Sequence, residues 1–228
     1  MRVLRTREVQ MKIIYEDNHL LVVEKPVNMP MQEDESKDKD LLSQCKAYLK
    51  EKYHKPGNVY CGLVHRLDRP VGGVAVFAKT SKAASRLSES IRTDAFSKIY
   101  QAIVVGELPM ETTLTDYLVK DEKTNTTTVT SKDKGKYCEL SYEKIRSIES
   151  LTLIRIKLIT GRSHQIRVQF SSRSCPLWGD ARYNKDSKPG QQLALWATSL
   201  SFPHPITHET VTFKSELPRT VPWSQFER

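Results

Sequence analysis

Tyr137-Cys138-Glu139-Leu140-Ser141-Tyr142-Glu143-Lys144-Ile145-Arg146-Ser147-Ile148 and, after Glu149-Ser150, Leu151-Thr152-Leu153-Ile154-Arg155-Ile156-Lys157-Leu158-Ile159 decide the fold class. The first run alternates apolar and polar residues, as a half-buried strand does. The second also alternates, with Leu151 and Leu153 and then, after an expected shift of face, Ile154, Ile156 and Leu158. Two such strands so close in sequence belong to a hairpin-like succession. Working outward, the same type of signal recurs. Lys12–Tyr15 and Leu20–Val23 are β-rich runs around the turn formers Glu16-Asp17-Asn18. Val74–Ala78, Ile99–Val105, Leu193–Leu200 and Val211–Phe213 are further strand candidates. Helical spacing falls over Leu41–Tyr53 with Asp40 as N-cap, over a segment capped by Ser81 with apolar residues at 83, 84, 87 and 91, and over Ser163–Phe170. Residues 32–40 and 121–136 are polar and predict exposed loops. Strands in hairpin succession with few helices point to an α+β fold. Its central sheet should be mixed and largely antiparallel, flanked by helices and loops.

Composition narrows the function classes. The chain has 228 residues, 38% hydrophobic and 28% charged, which excludes a disordered chain and an integral membrane protein. No apolar run reaches signal-peptide or membrane-spanning length. The net charge of +9 suits a polyanionic partner, although a basic solvated surface would carry it equally well. Cys45, Cys61, Cys138 and Cys175 form no Cys-x-x-Cys pair, so reduced structural thiols in a cytoplasmic protein are expected, with no metal. The first ten residues, with Arg2, Arg5 and Arg7, suit either an RNA-touching arm or an ordinary frayed terminus.

Three stretches carry candidate chemistry. In Gly62-Leu63-Val64-His65-Arg66-Leu67-Asp68-Arg69-Pro70-Val71-Gly72-Gly73, an acid sits between two arginines ahead of Pro and two Gly. Such a segment presents side chains from a loop, and the adjacent cations keep Asp68 ionised, fit to be a nucleophile or a base. From these residues alone an ordinary loop ion pair is the simpler reading. In Thr160-Gly161-Arg162-Ser163-His164-Gln165-Ile166-Arg167, Gly161 supplies a turn into a helix whose first amides face outward, an anion-binding arrangement. Ser163 and His164 lack the setting of a hydrolase nucleophile. In Lys98-Ile99-Tyr100, an aromatic residue on a basic strand can stack on a base, or simply pack into the core.

Together these stretches resemble the RluA-type family of RNA pseudouridine synthases. The likeness rests on His65-Arg66-Leu67-Asp68 with Gly73, Lys98-x-Tyr100 with Gly106, and Thr160-Gly161-Arg162-Ser163-His164-Gln165-Ile166-Arg167. It continues through Pro176-Leu177-Trp178-Gly179-Asp180-x-x-Tyr183, and runs in order from about residue 12 to 220. Ile14-Tyr15-Glu16-Asp17, Glu24-Lys25-Pro26 and Leu200-Ser201-Phe202-x-His204-Pro205 add to it. Val71-Gly72 replaces the Thr-Ser common after the aspartate, and Gln169 stands where a histidine is common.

The resemblance implies a pseudouridine synthase fold with a catalytic cleft across the sheet. It implies a uridine flipped out of RNA and isomerised without cofactor or metal. Asp68 takes the place of the essential aspartate, Tyr100 of the tyrosine that stacks on the target base and assists proton removal, and Arg167 of the aspartate's basic partner. Arg66 takes the place of the arginine that helps hold the flipped nucleotide or the space it leaves. Asp68 would attack the ribose anomeric carbon, abstract its 2′ proton, or attack the uracil ring. Arg69, Arg162, His164, Gln165 and Lys98 are further expected RNA contacts, with Lys46, Lys50, Lys79, Lys82 and the Lys132–Lys136 segment as candidates for tracking phosphates. Residues 12–222 are expected to form the catalytic domain, without an N-terminal RNA-binding module of the S4 type, and to act as a monomer on ribosomal RNA or, alternatively, transfer RNA. A non-catalytic RNA-binding or chaperone protein on the same fold, and a hydrolase built around His65 and Asp68, are the rival readings.

Overall fold

A computed structural model describes residues 11–227, so Arg2, Arg5 and Arg7 lie outside the described residues. The strands are β1 (Lys12–Glu16), β2 (Leu20–Lys25), β3 (Gly62–Leu63), β4 (Gly72–Ala78), β5 (Ser97–Val105), β6 (Glu111–Asp121), β7 (Thr126–Thr130), β8 (Lys136–Ile148), β9 (Leu151–Leu158), β10 (Leu195–Pro203) and β11 (Thr210–Lys214). The helices are α1 (Leu41–Lys52), α2 (Ser81–Arg92) and α3 (Gln165–Ser171), and a 3-10 turn at Trp223–Phe226 follows the last strand. The sheet runs β1-β2-β4-β10-β5-β9-β8-β6-β7, with β11 beside β10 and β3 beside β4. Every pairing is antiparallel except the short β4–β10 contact, so the sheet is mixed and largely antiparallel as expected.

The β8–β9 hairpin pairs Ile148 with Leu151 and runs on to Leu140 with Leu158. The expected shift of face in β9 does not occur, because its pairing with β5 is unbroken from Leu151 to Leu158. Both faces of the strand are covered instead. Ile154, Ile156 and Leu158 join the main core with the inner faces of α1 and α2, while Leu151 and Leu153 pack with Ile103, Trp178, Trp196 and Trp223 on the other side.

Other boundaries differ for local reasons. The side chain of Thr80, not Ser81, caps α2 by accepting from the Ala83 amide. Asp40 caps α1 as expected, accepting from the Ser43 amide. Residues 121–136 are not all loop: Thr126–Thr130 forms β7 against β6, itself a strand whose mostly exposed residues give little alternation. The last long strand starts at Leu195 and ends at Pro203. All four cysteines are free. No helix among the described residues is long and apolar enough to cross a membrane.

The part of the fold that matters for chemistry is the place where β4 meets β10. Only Gly72 and Gly73 pair there, with Trp196 and Ala197, and the two strands then diverge. A Cβ on Gly72 would stand 2.1 Å from the Trp196 ring. One on Gly73, whose φ is +117°, would stand 2.2 Å from the Ala197 carbonyl oxygen. The Gly pair therefore lets the backbones meet, with the Trp196 ring filling the space beside Gly72. Beyond the contact, the Val76 amide donates to Nε2 of His65 at 3.1 Å. Burial, with Lys98 nearby, pushes the pKa of His65 down to about 4, so its ring stays neutral and serves as a backbone acceptor. This is a structural duty, and it removes His65 from the hydrolase reading.

Candidate active site

Asp68 precedes β4 in a tight turn whose carbonyls are all engaged. The Asp68 carbonyl accepts from the Val71 amide at 3.0 Å. Those of Arg69 and Val71 accept from Nζ of Lys25 at 2.9 and 2.7 Å, and that of Pro70 accepts from Nε2 of Gln192 at 2.7 Å. Lys25 is fully buried. Burial pushes its pKa down to about 7, opposed by the Asp68 charge, and its three carbonyl acceptors favour the ammonium form. The aspartate backbone is thus clamped by β2 and by the segment before β10. Its side chain remains 29% exposed.

That side chain lies on the wall of a cleft of about 1000 Å³, lined also by Met31, Glu33, Asp34, Arg162, His164 and Arg182. A recess of about 70 Å³ opens from the same residues toward Val71, Tyr100, Leu158 and Leu195. The expected catalytic trio therefore shares one site. Tyr100, on β5 between Ile156 and Ala197, is buried at the recess. Burial and then the Asp68 charge push its hydroxyl pKa up, so the phenol keeps its proton.

Arg167 sits on the buried face of α3. Its Nε and Nη2 donate to Asp180 at 2.9 and 2.7 Å, and Nη1 reaches Oδ2 of Asp68 at 3.4 Å. The tighter partner is Asp180, which is fully buried and also accepts from the amides of Arg182 and Tyr183. Asp180 and Tyr183 are the side chains that hold Arg167, and the sequence motifs assigned them no role. Gly179-Asp180-x-x-Tyr183 was visible as a pattern, but the pairing across α3 was not. The Tyr183 ring lies under the Arg167 guanidinium at 5.0 Å, an additional support for a buried cation.

The expected RNA contacts divide. Arg66 and Arg162 are exposed at the cleft, Arg162 with Nε donating to the Tyr137 carbonyl. Arg69 is exposed but tied to Asp38, to Asp34 at 3.7 Å and to Ser36. His164 lines the cleft. Gln165 is buried. Its amide oxygen takes Thr160 Oγ1 and the Arg162 amide, and its nitrogen donates to the Glu139 carbonyl and to Gln169, so it presents no free donor to RNA and instead holds the turn. Lys98 is half-buried against Gly161, outside the cleft lining, and burial pushes its pKa down. Lys79 is spent on Glu16 at 2.6 Å. Gln169 replaces the family's histidine by donating to Asp116 at 2.7 Å and to the Leu114 carbonyl, tying α3 to β6. The left-handed residue of the turn is His164, with φ +52°, not Gly161, and α3 is too short to act as an anion site by its dipole. Among the described residues no three His, Cys, Asp or Glu side chains converge to hold a metal ion.

Comparison with known proteins gives the family. Residues 19–172 match the family model described as RNA pseudouridylate synthase. The chain is 31% identical over 225 residues to ribosomal large subunit pseudouridine synthase D of Zymomonas mobilis, covering 93% of this chain and 71% of that protein. It is 32% identical over 235 residues to the protein of the same name from Pseudomonas aeruginosa, covering 95% and 71%. The solved structure of human RNA pseudouridylate synthase domain containing 4 superposes with a TM-score of 0.76 at 23% identity, over 91% of this chain and 89% of that one, a likeness of fold. The chain belongs to the RluA-type family of RNA pseudouridine synthases and is a pseudouridine synthase.

Proposed function

We propose that this enzyme isomerises uridine in ribosomal RNA with Asp68 as its catalytic carboxylate. One observation carries the reading. In a turn whose every carbonyl is engaged, the Asp68 carboxylate lines the cleft beside the buried cation of Arg167. In the reaction the C1′–N1 bond of uridine breaks and a C1′–C5 bond forms. The hydrogen on C5 is lost to solvent and N1 gains one. Substrate and product are isomers, so no oxidant or co-reactant enters the balance.

An ionised carboxylate serves both attack on C1′ and removal of the 2′ proton, and Arg167 supplies a counter-charge beside it. Tyr100 offers a ring face to the extruded base, with its phenol protonated. Arg66 and Arg162 supply exposed cations for the phosphates around a flipped nucleotide. The ribosomal target rests on the names of the relatives and on the +9 charge, with transfer RNA as the alternative. The reading extends to residues 12–222 as a catalytic domain acting as a monomer in the cytoplasm, consistent with four free thiols.

Pseudouridine mapping of total RNA with and without the gene tests it. Loss of a modified position in large-subunit ribosomal RNA is expected. Loss only in transfer RNA overturns the target, and loss of none overturns the enzymatic assignment in the cell.

A further inference from the structure

His164 is the last residue before α3 and is held in the left-handed region at φ +52°, a conformation of real cost for a residue with a Cβ. What that conformation achieves is visible in the ring. Nδ1 lies 2.7 Å from the Tyr183 hydroxyl, the two rings meet edge to face, and Nε2 points at Oδ2 of Asp68, 3.9 Å away.

The Tyr183 hydroxyl has one proton and two lone pairs. One lone pair accepts from the Thr127 amide of β7 at 2.8 Å. Its side-chain neighbours are Nδ1 of His164 at 2.7 Å and Oγ1 of Thr127, and the hydroxyl proton goes to one of these two. With the hydroxyl proton given to Nδ1, that nitrogen is the acceptor and the ring proton sits on Nε2, facing the aspartate. The charged groups around the ring are Asp68 from the turn before β4, Arg167 from α3, and Asp180 and Arg182 from the segment after it. Burial pushes the His164 pKa down, Asp68 pulls against it, and Arg167 and Arg182 add to the lowering.

Arg167 and His164 thus address the same carboxylate oxygen. Both approach Oδ2, and among the described residues no donor reaches Oδ1. We infer that His164, fixed by Tyr183 as the Nε2–H tautomer, is a positioning residue that together with Arg167 holds Oδ2 of Asp68 and leaves Oδ1 as the oxygen that meets the substrate. The β6–β7 hairpin takes part, since the Thr127 amide and the bonds from Arg182 to the carbonyls of Thr124 and Asn125 seat Tyr183. This inference rests on Asp68 being the catalytic carboxylate.

Two measurements on the full chain test it. In a sample labelled with 15N-histidine, His164 should show a bare Nδ1 and a protonated Nε2 at neutral pH, and Tyr183→Phe should shift the ring toward the opposite tautomer. A protonated Nδ1 in the wild-type protein overturns the inference. Kinetically, His164→Leu should lower kcat about tenfold to a hundredfold with little change in KM, the scale of one hydrogen bond to a charged group once the 3.9 Å separation closes with substrate bound. His164→Gln, which keeps a donor, should recover most of the loss. Backbone strain at φ +52° is common to both variants, so their difference reads the side chain. If Asp68→Asn is inactive while His164→Leu keeps wild-type kcat, this inference alone fails. If Asp68→Asn is active, the reading beneath it fails.

Discussion

Replacing Asp180 by asparagine removes the counter-charge of Arg167 without changing the shape of the side chain. Both partners are buried, with side-chain exposures of 6% for Arg167 and 0% for Asp180. Removing one member of a buried ion pair costs about 3–5 kcal/mol, because the other charge stays behind without its partner. The asparagine oxygen still accepts from the Arg182 and Tyr183 amides that Asp180 Oδ1 serves, which places the cost near the lower end, about 3 kcal/mol. For a chain of this length that lowers Tm by about 6–12 °C. Activity should suffer as well. With Asp180 neutral, Asp68 becomes the nearest carboxylate for Arg167, and the present 3.4 Å contact tightens. A displaced reacting group costs on the order of a hundredfold in kcat. Calorimetry gives the first quantity, and tritium release from RNA carrying [5-3H]uridine gives the second, because the C5 hydrogen leaves once per turnover. An Asp180→Asn protein that melts within about 1 °C of wild type and turns over at the wild-type rate would refute the role of Asp180 as anchor of the pair.

Further outcomes follow from the same structure. Gly72→Ala should destabilise the protein by about 1–3 kcal/mol, since its Cβ would fall 2.1 Å from the Trp196 ring. Trp196→Leu should relieve part of that cost in the double variant, and strict additivity in urea unfolding would contradict the clash. Burial resists ionisation of Glu16, but its bonds to Lys52, Lys79, Tyr53 and Tyr48 prevail and bring its pKa to about 2 from 4.5. The folded value is the lower one, so this stabilisation is complete above about pH 5 and is lost as pH falls toward 2. Wild type should therefore lose roughly 2–3 kcal/mol relative to Glu16→Gln between those limits, and parallel stability curves would contradict the hub. Arg66→Ala and Arg162→Ala should each lower the slope of log binding constant against log salt by about 1 if each contacts a phosphate, whereas an unchanged slope removes that cation from the interface.

Much of the fold was legible because hydrophobic alternation is a property of strands buried on at least one face. The β8–β9 hairpin and the β1–β2 hairpin are of this kind, and Asp40 announced its helix by cap chemistry alone. β6 was not legible. Its residues are mostly exposed, and it is a strand because β8 and β7 supply backbone partners on either side. β9 misled in the opposite sense, since burial on both faces looks like a change of face.

At the site, Asp68, Tyr100 and Arg167 were brought to one cleft as the motifs implied. What the motifs could not give was the division of labour among cations. Gln165 and Lys98 look like RNA contacts because polar residues in a basic stretch point nowhere until the chain is folded. Gln165 turns inward to hold Arg162 and Thr160, and Arg69 is taken by Asp34 and Asp38 from a loop some thirty residues upstream. The pairing of Arg167 with Asp180 and the Tyr183–His164 contact arise from α3 packing on the segment that follows it, a tertiary fact.

The central claim is that the carboxylate of Asp68 performs the isomerisation. Tritium release from [5-3H]uridine-labelled large-subunit ribosomal RNA by the Asp68→Asn protein, folded to the wild-type Tm, tests it most directly. No release above background is predicted. Release at the wild-type rate would contradict the assignment of this residue as the catalytic group.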